Sequence, residues 1–258
     1  MIDINTYTGS WPYRPLKYSR LTDLQQMLNS HGIQKALVSP IEGMFYDDPQ
    51  LANEELYKAI KKSHQLLPVA VIDPSMTNWS QSMEKCFIEM KFIALKLHPN
   101  YHGYSLSHDS VYQMLELAGQ TNKPVIIQMR IQDIRAQSDL ARAEDVSIQQ
   151  VIGVVRDHPN TGFILGGIKW VEAAVSSQDI KELENLWLDI SNLEYMGGLR
   201  RMIQLYGPQK LVFGTHAPFF VVRSAILKLQ AAGLSEEERK NITIGNAQTV
   251  LKNMLIQV

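Results

Sequence analysis

The sequence predicts an α/β fold in one domain spanning residues 1–258, on three observations. Strand-like and helix-like runs alternate strictly, the alternation repeats eight times, and the loops are long at one end of the strands only. The strand runs are short and apolar or β-branched: IDIN (2–5), KALVS (35–39), LPVAVID (67–73), FIALKLH (92–98), PVIIQM (124–129), GFILGG (162–167), LWLDIS (186–191) and KLVFGT (210–215). Runs that are apolar on both faces belong to a parallel sheet covered by helices. Eight such units in about 250 residues close most simply into a (β/α)8, or TIM, barrel.

Helical periodicity fills the crossovers. Leu21, Leu24 and Leu28 follow the first run, Ala52, Leu56, Ala59 and Ile60 the second, and Trp79, Met83, Cys86, Phe87 and Met90 the third. Val111 to Ala118, Ile148 to Val155, Met196 to Tyr206 and Val222 to Leu229 continue the series, with Gly32, Gly207 and Gly233 as stop signals. Beyond the eighth unit, Ala247, Val250, Leu251 and Met254 predict an extra C-terminal helix, capped by Asn246, that packs outside the barrel or plugs its bottom. Helix-to-strand connections are terse (HGIQ, TNK, GPQ), whereas residues 8–20, 40–49, 99–107 and 129–145 form long strand-to-helix loops. The site is therefore expected at the carboxyl ends of the strands.

The 25 basic and 26 acidic residues are interspersed, which leaves no electrostatic footprint for nucleic acid or an anionic membrane and favours a small-molecule substrate. No run approaches the ~18 apolar residues of a membrane span. The N-terminus lacks a leader pattern, and the single cysteine, Cys86, lies on an apolar stripe as a buried structural thiol. A cytoplasmic location follows as an expectation. Barrels of this kind often dimerise, so a homodimer is compatible with the sequence.

Alternation along the strands turns Asp3, Asn5 and Tyr7, then Lys96 and His98, then Gln128 and Arg130, then His216 toward one face at the barrel mouth. An inward polar group must find a partner or face a site. Asp3 and Lys96 lie one layer deeper and are expected to form a buried salt bridge. Arg14, Arg130 and Arg135 stand on mouth loops, where they either clamp an anion through bidentate hydrogen bonds or pair with Asp47, Asp48, Asp133 or Asp139. His31, His64, His108 and His158 read as surface or capping residues. His98, His102 and His216 are the candidates for chemistry.

The motifs IDINTYTG, ALKLHP, PVIIQM, LWLDIS, LVFGTHAPF and NITIGNAQTVL, in order along essentially the whole chain, resemble the amidohydrolase-related TIM-barrel family. That resemblance implies a site for one or two divalent metals held by a His-x-His after the first strand, histidines after the fifth and sixth, and an Asp after the eighth. Here those positions hold Asn5 and Tyr7, Gln128, Gly167 and His216, while His98 of KLHP survives. The combination resembles a divergent branch lacking the usual metal ligands. Asn, Gln and Tyr are poor zinc ligands, so no cofactor is expected at the usual place.

Three functions compete. The first is a metal-independent hydrolase or lyase acting on a small anionic or sugar-like molecule. In it His216 is a general base titrating near neutrality, His98 a second acid/base, and Asn5 and Gln128 oxyanion donors. Arg14, Arg130, Asn100, His102, Tyr7 and Trp11 bind substrate, with Trp11, Tyr13, Tyr101 and Tyr104 covering the pocket. The second relocates a divalent metal to His98, His102 and His216 with Asp133. The third is a ligand-binding barrel without catalysis.

Overall fold

The computed structural model describes residues 1–252. Eight strands, β1 (Ile2–Thr8), β2 (Lys35–Pro40), β3 (Leu66–Val71), β4 (Ala94–Leu97), β5 (Val125–Gln128), β6 (Phe163–Gly166), β7 (Leu186–Asp189) and β8 (Leu211–Val212), run parallel in chain order. The segment after β8 closes the circle against β1: Ile4 N–H donates to Phe213 O (3.0 Å), Tyr7 N–H to Ala217 O (2.7 Å), and His216 N–H to Asn5 O (2.9 Å). The predicted barrel is realised. Several strands are shorter than their apolar runs, whose end residues lie outside the ladder.

Two apolar layers hold the barrel. Outside it, the helices bury their periodic faces against outward strand residues such as Leu95, Ile127, Phe163, Leu188 and Phe213. Inside, Ile4, Leu37, Val69, Ile126, Ile164 and Val212 fill the lower barrel. Each such buried side chain contributes about 1.5–3 kcal/mol relative to exposure. Ala247, Val250 and Leu251 join the inner layer, so the C-terminal helix plugs the bottom. Asn246 does not cap that helix but is its first residue, because helical turns already run from Glu236; its amide nitrogen instead donates to Pro208 O and Leu211 O, both at 2.7 Å. Met254 lies outside the described residues. Between β6 and β7 two short helices, Trp170–Val175 and Ser177–Glu182, bury only Ala173 and Ile180, which is why no apolar periodicity announced them.

Cys86 is buried and free, its thiol pushed up to about 12 by burial. Among the described residues no helix is long and apolar enough to cross a membrane. A third apolar layer, of Tyr7, Trp11, Ile41, Met44, Ile131 and Phe219, closes the mouth.

Candidate active site

Beneath that third layer, strand alternation brings Asn5 of β1, Lys96 of β4, Gln128 of β5 and Asp189 of β7 together on the barrel axis, all fully buried. Asn5 is the hub. Its amide nitrogen donates to Asp189 Oδ2 (2.8 Å) and Gln128 Oε1 (3.1 Å), and its oxygen accepts from Lys96 Nζ (2.8 Å). Gln128 Nε2 donates to Arg130 O at 2.7 Å, and Asp189 accepts from Ser191 Oγ (2.6 Å) and Ser191 N–H (2.8 Å). Gly166 and Gly214 make room for these groups: a Cβ at Gly166 would collide with the Gln128 amide, and one at Gly214 with the Asp189 carboxylate. Asn5 and Gln128 are thus brought together as expected, but their amides bond to one another and to their neighbours.

The expected Asp3–Lys96 salt bridge is not formed. β8 lies beside β1, so Asp3 accepts from Thr215 Oγ1 (2.6 Å), Thr215 N–H (3.0 Å) and Asn5 N–H (3.1 Å). Lys96 reaches Asn5 and lies 3.9 Å from the centre of the Tyr7 ring. Burial raises the Asp3 carboxyl to about 7 against those hydrogen bonds and also raises Asp189. Burial lowers the Lys96 ammonium to about 7, while Asp189 and Asp3 oppose the shift.

His216 adopts φ +56, a left-handed conformation that side chains seldom hold without a local reason. Its Nε2 donates to Ile131 O at 2.6 Å, which leaves Nδ1 as a lone pair 3.5 Å from the amide nitrogens of Asn5 and Gln128. Burial lowers its pKa to about 3. The near-neutral base expected of His216 therefore does not hold. His98 is also fully buried; burial, and Lys96 after it, hold its pKa well below the ordinary value, and both ring nitrogens lack a partner.

The relocated metal set does not assemble. His98 and His102 are neighbours, with ring centres 6.3 Å apart, but His216 faces Ile131 and Asp133 is paired with Arg135 on an exposed loop (2.8 Å). Among the described residues no group of three His, Cys, Asp or Glu converges on one point.

Three expected substrate contacts lie elsewhere. Arg130 is buried among carboxylates, bonded to Asp145 (2.9 Å), Glu172 (2.9 Å) and the Gly167 carbonyl. Arg14 is exposed and lines a groove of about 630 Å³ on the outer side of Phe219. Asn100 donates to Glu144 O at 2.9 Å and pins the β5 loop. Tyr7 and Trp11 do reach the mouth, and Trp11, Tyr13 and Tyr101 form part of its cover, edge to face. Tyr104 packs with the outer core instead. Outside the cover, grooves of about 730 and 360 Å³ flank the loops after β7 and β5 and meet at Phe220, whose ring lies 4.7 Å from that of His216.

The residue that sequence reasoning missed is Asp189. Its signal was present in LWLDIS, where alternation turns a carboxylate inward at a strand end just as it does Asn5.

The amidohydrolase family model matches residues 42–252. No curated protein sequence matches the chain. Among solved structures, dihydroxybenzoic acid decarboxylase from Polaromonas sp. JS666, with bound manganese and 2-nitroresorcinol, superimposes with a TM-score of 0.76 at 16% identity, covering 97% of this chain and 96% of that one. 5-Carboxyvanillate decarboxylase from Sphingomonas paucimobilis gives 0.76 at 13% identity over 97% and 98%. A 2,6-dihydroxybenzoate decarboxylase from Rhizobium gives 0.71 at 14% identity over 97% and 98%. At such identities the likeness establishes the fold. The manganese bound in the Polaromonas structure overturns the expectation that a barrel of this kind does without a metal.

Proposed function

Because the chain belongs to the amidohydrolase family, we propose that its closed mouth is the active site of a lyase that releases CO2 from small anionic aromatic acids. The observation that carries this reading is Lys96, a fully buried amine on the barrel axis, bonded to the Asn5 amide oxygen rather than to a carboxylate. Proteins of this shape named for decarboxylation of dihydroxybenzoate and carboxyvanillate support it.

Decarboxylation of an aryl acid puts a proton on the ring carbon that bears the carboxylate. The C–C bond then breaks, CO2 leaves, and the bonding pair returns to the ring. Lys96 supplies the proton: burial lowers its ammonium to about 7 and so makes it a stronger acid than an exposed lysine, while Asp189 and Asp3 oppose the shift. Asn5 fixes Nζ, and Gln128 and Asp189 fix Asn5. The Tyr7 ring covers Nζ, its centre 3.9 Å away. Trp11, Tyr7 and Phe219 exclude water, which favours a step that disperses carboxylate charge. Hydrolysis would instead need a base to activate water, and burial, by lowering the pKa of His216 to about 3, leaves it a weak one.

A divalent ion carried over from the fold would meet a donor set bonded to itself. Asn5 turns its nitrogen toward Asp189, its oxygen is taken by Lys96, and Gln128 accepts from Asn5. These axial side chains, as arranged, do not fit a cation.

The test is a panel of hydroxylated benzoates incubated in D2O. Wild-type protein is expected to release CO2 and leave one deuterium where the carboxylate stood, and Lys96→Met to release it roughly 10³-fold more slowly. Products that keep every carboxylate and gain water across an ester or amide bond would overturn the proposal.

A further inference from the structure

The groove on the outer side of Phe219 carries a single sign of charge. Its volume is about 630 Å³, and it runs between the loop after β1, the helix Leu21–Ser30 and the start of the helix Val222–Ala231. Arg14, Lys17, His31 and Arg223 line it, and no Asp or Glu does. The other large grooves are mixed or acidic. That of about 730 Å³ contains Glu194 with Lys228, that of about 360 Å³ contains Asp133 and Glu194 with Arg130 and Lys169, and that of about 660 Å³ contains Glu116 and Asp157. In a chain with 25 basic and 26 acidic residues, a concave wall of one sign is a local feature and not a consequence of composition.

Its cations are uncommitted and their loop is anchored. Among the described residues Arg14, Lys17 and Arg223 form no ion pair, whereas the exposed Arg135, Arg142 and Arg156 are each matched by an aspartate, at 2.8, 2.6 and 2.9 Å. The loop that carries Arg14 and Lys17 is tied back to β1, because Ser19 O accepts from Gly9 N–H (2.9 Å) and from Thr8 Oγ1 (2.8 Å). Within it, Lys17 Nζ lies 4.8 Å from the centre of the Tyr18 ring. Like charges gathered on a concave wall repel one another and raise the local concentration of counter-ions. A bound anion removes that repulsion.

The wall also selects among anions. Two guanidinium groups and an ammonium call for more than the single charge of a carboxylate, and a phosphate monoester supplies about −1.5 to −2 near neutral pH with three acceptor oxygens. Beside the cations the lining is apolar and aromatic, with Phe219 and Phe220. We infer that this groove is a binding site for a phosphate monoester of a ring-bearing molecule, the phosphate on Arg14, Lys17 and Arg223 and the ring against Phe219 and Phe220. The volume suits a ligand of that size. Phe219 also packs on Tyr7 (5.4 Å) and Trp11 (5.0 Å), so it stands between the groove and the closed mouth. The site is thus distinct from the axial network and does not rest on the proposed reaction.

The test is calorimetric titration with phenyl phosphate, inorganic phosphate and benzoate. Wild-type protein is expected to bind phenyl phosphate about 10-fold more tightly than benzoate, for the extra charge, and about 10-fold more tightly than inorganic phosphate, for the ring. Arg14→Ala and Arg223→Ala each lower phenyl phosphate affinity by roughly 5–10-fold without moving the melting temperature, because both side chains are exposed. Added salt weakens binding in wild type more than in either variant. Phe220→Ala, confirmed as folded by its melting transition, loses the preference for phenyl phosphate over inorganic phosphate. Lys96→Met binds phenyl phosphate as wild type does. Wild-type protein that fails to bind phenyl phosphate, or binds benzoate as tightly, would overturn the site, as would arginine variants with wild-type affinity. A Lys96→Met variant that loses phenyl phosphate would also overturn it, because the anion would then lie in the mouth.

Discussion

The two sides of the closed mouth are built on opposite rules. Around Asn5, on the side of β5, β7 and β8, the polar groups are matched to one another: Asn5 with Asp189, Gln128 and Lys96, Gln128 with the Arg130 carbonyl, Asp189 with Ser191, and His216 with the Ile131 carbonyl. On the side of β2 and β4, His98, Tyr101 and Ser39 carry buried atoms matched to nothing. A saturated network rigidifies and fixes protonation states, while unmatched buried atoms cost stability. The contrast assigns chemistry to the first side.

The largest effect should come from the saturated side. Lys96→Met keeps the length of the side chain, removes the proton donor, and is expected to lower the rate of CO2 release by roughly 10³-fold, within the range of a lost general acid. Stability should hold or rise, since an apolar group replaces a buried charge. Paired rate and melting measurements separate this outcome from simple unfolding. A variant that melts lower and keeps its rate would make Lys96 structural. Gly166→Ala comes next. Its methyl would overlap the Gln128 amide and approach Asn5 Nδ2 at 3.2 Å, so the hub must shift. Overpacking of this kind costs about 1–3 kcal/mol, and the rate should fall with it. An alanine variant with unchanged melting and rate would mean that the hub is loose.

The same contrast explains what could be read from the sequence. The barrel was legible because eight apolar runs and the helical stripes between them repeat, and burial enforces that repetition. Asn5, Gln128 and His216 were legible as mouth residues because strand alternation fixes where a side chain points. Their roles were not, because a role depends on which neighbour arrives within 3 Å across the barrel. Asp3 met Thr215 rather than Lys96, and His216 met a backbone carbonyl. Arg130 looked like an anion clamp until Asp145 and Glu172, far along the chain, were seen to hold it. Unpartnered atoms are invisible in a sequence altogether.

A titration sharpens the comparison. His216 is lowered to about 3 when folded and His98 well below its ordinary value, so between those values and about 6.5 the unfolded chain binds more protons. Their neutral burial therefore supports the fold fully above pH 6.5 and loses ground as pH falls below it. Asp3, raised to about 7, acts in the opposite direction, since between its ordinary value and 7 the folded protein holds the extra proton and gains stability as pH falls. His216→Gln removes one opposing contribution and should become more stable relative to wild type on going from pH 7 to pH 5, by on the order of 1–2 kcal/mol. Denaturant unfolding at the two pH values reads this directly. An unchanged difference would mean that His216 is accessible to protons in the folded state.

The smallest effect on CO2 release should come from the residue that looks most like a ligand clamp. Arg14 is exposed, and its groove lies beyond Phe219, outside the cover of the mouth. Arg14→Ala is expected to leave the rate of CO2 release within about twofold of wild type, as for a surface charge outside the mouth. Arg130→Met, by contrast, strands Asp145 and Glu172, which are 35% and 22% exposed and so partly eased by water, and should cost about 2–4 kcal/mol of stability. The rate of the folded fraction should again be little changed, because the guanidinium is bound to carboxylates outside the Asn5 hub. A tenfold loss of rate in either variant would bring the arginines into the reaction, and the assignment of chemistry to the hub would fail with it.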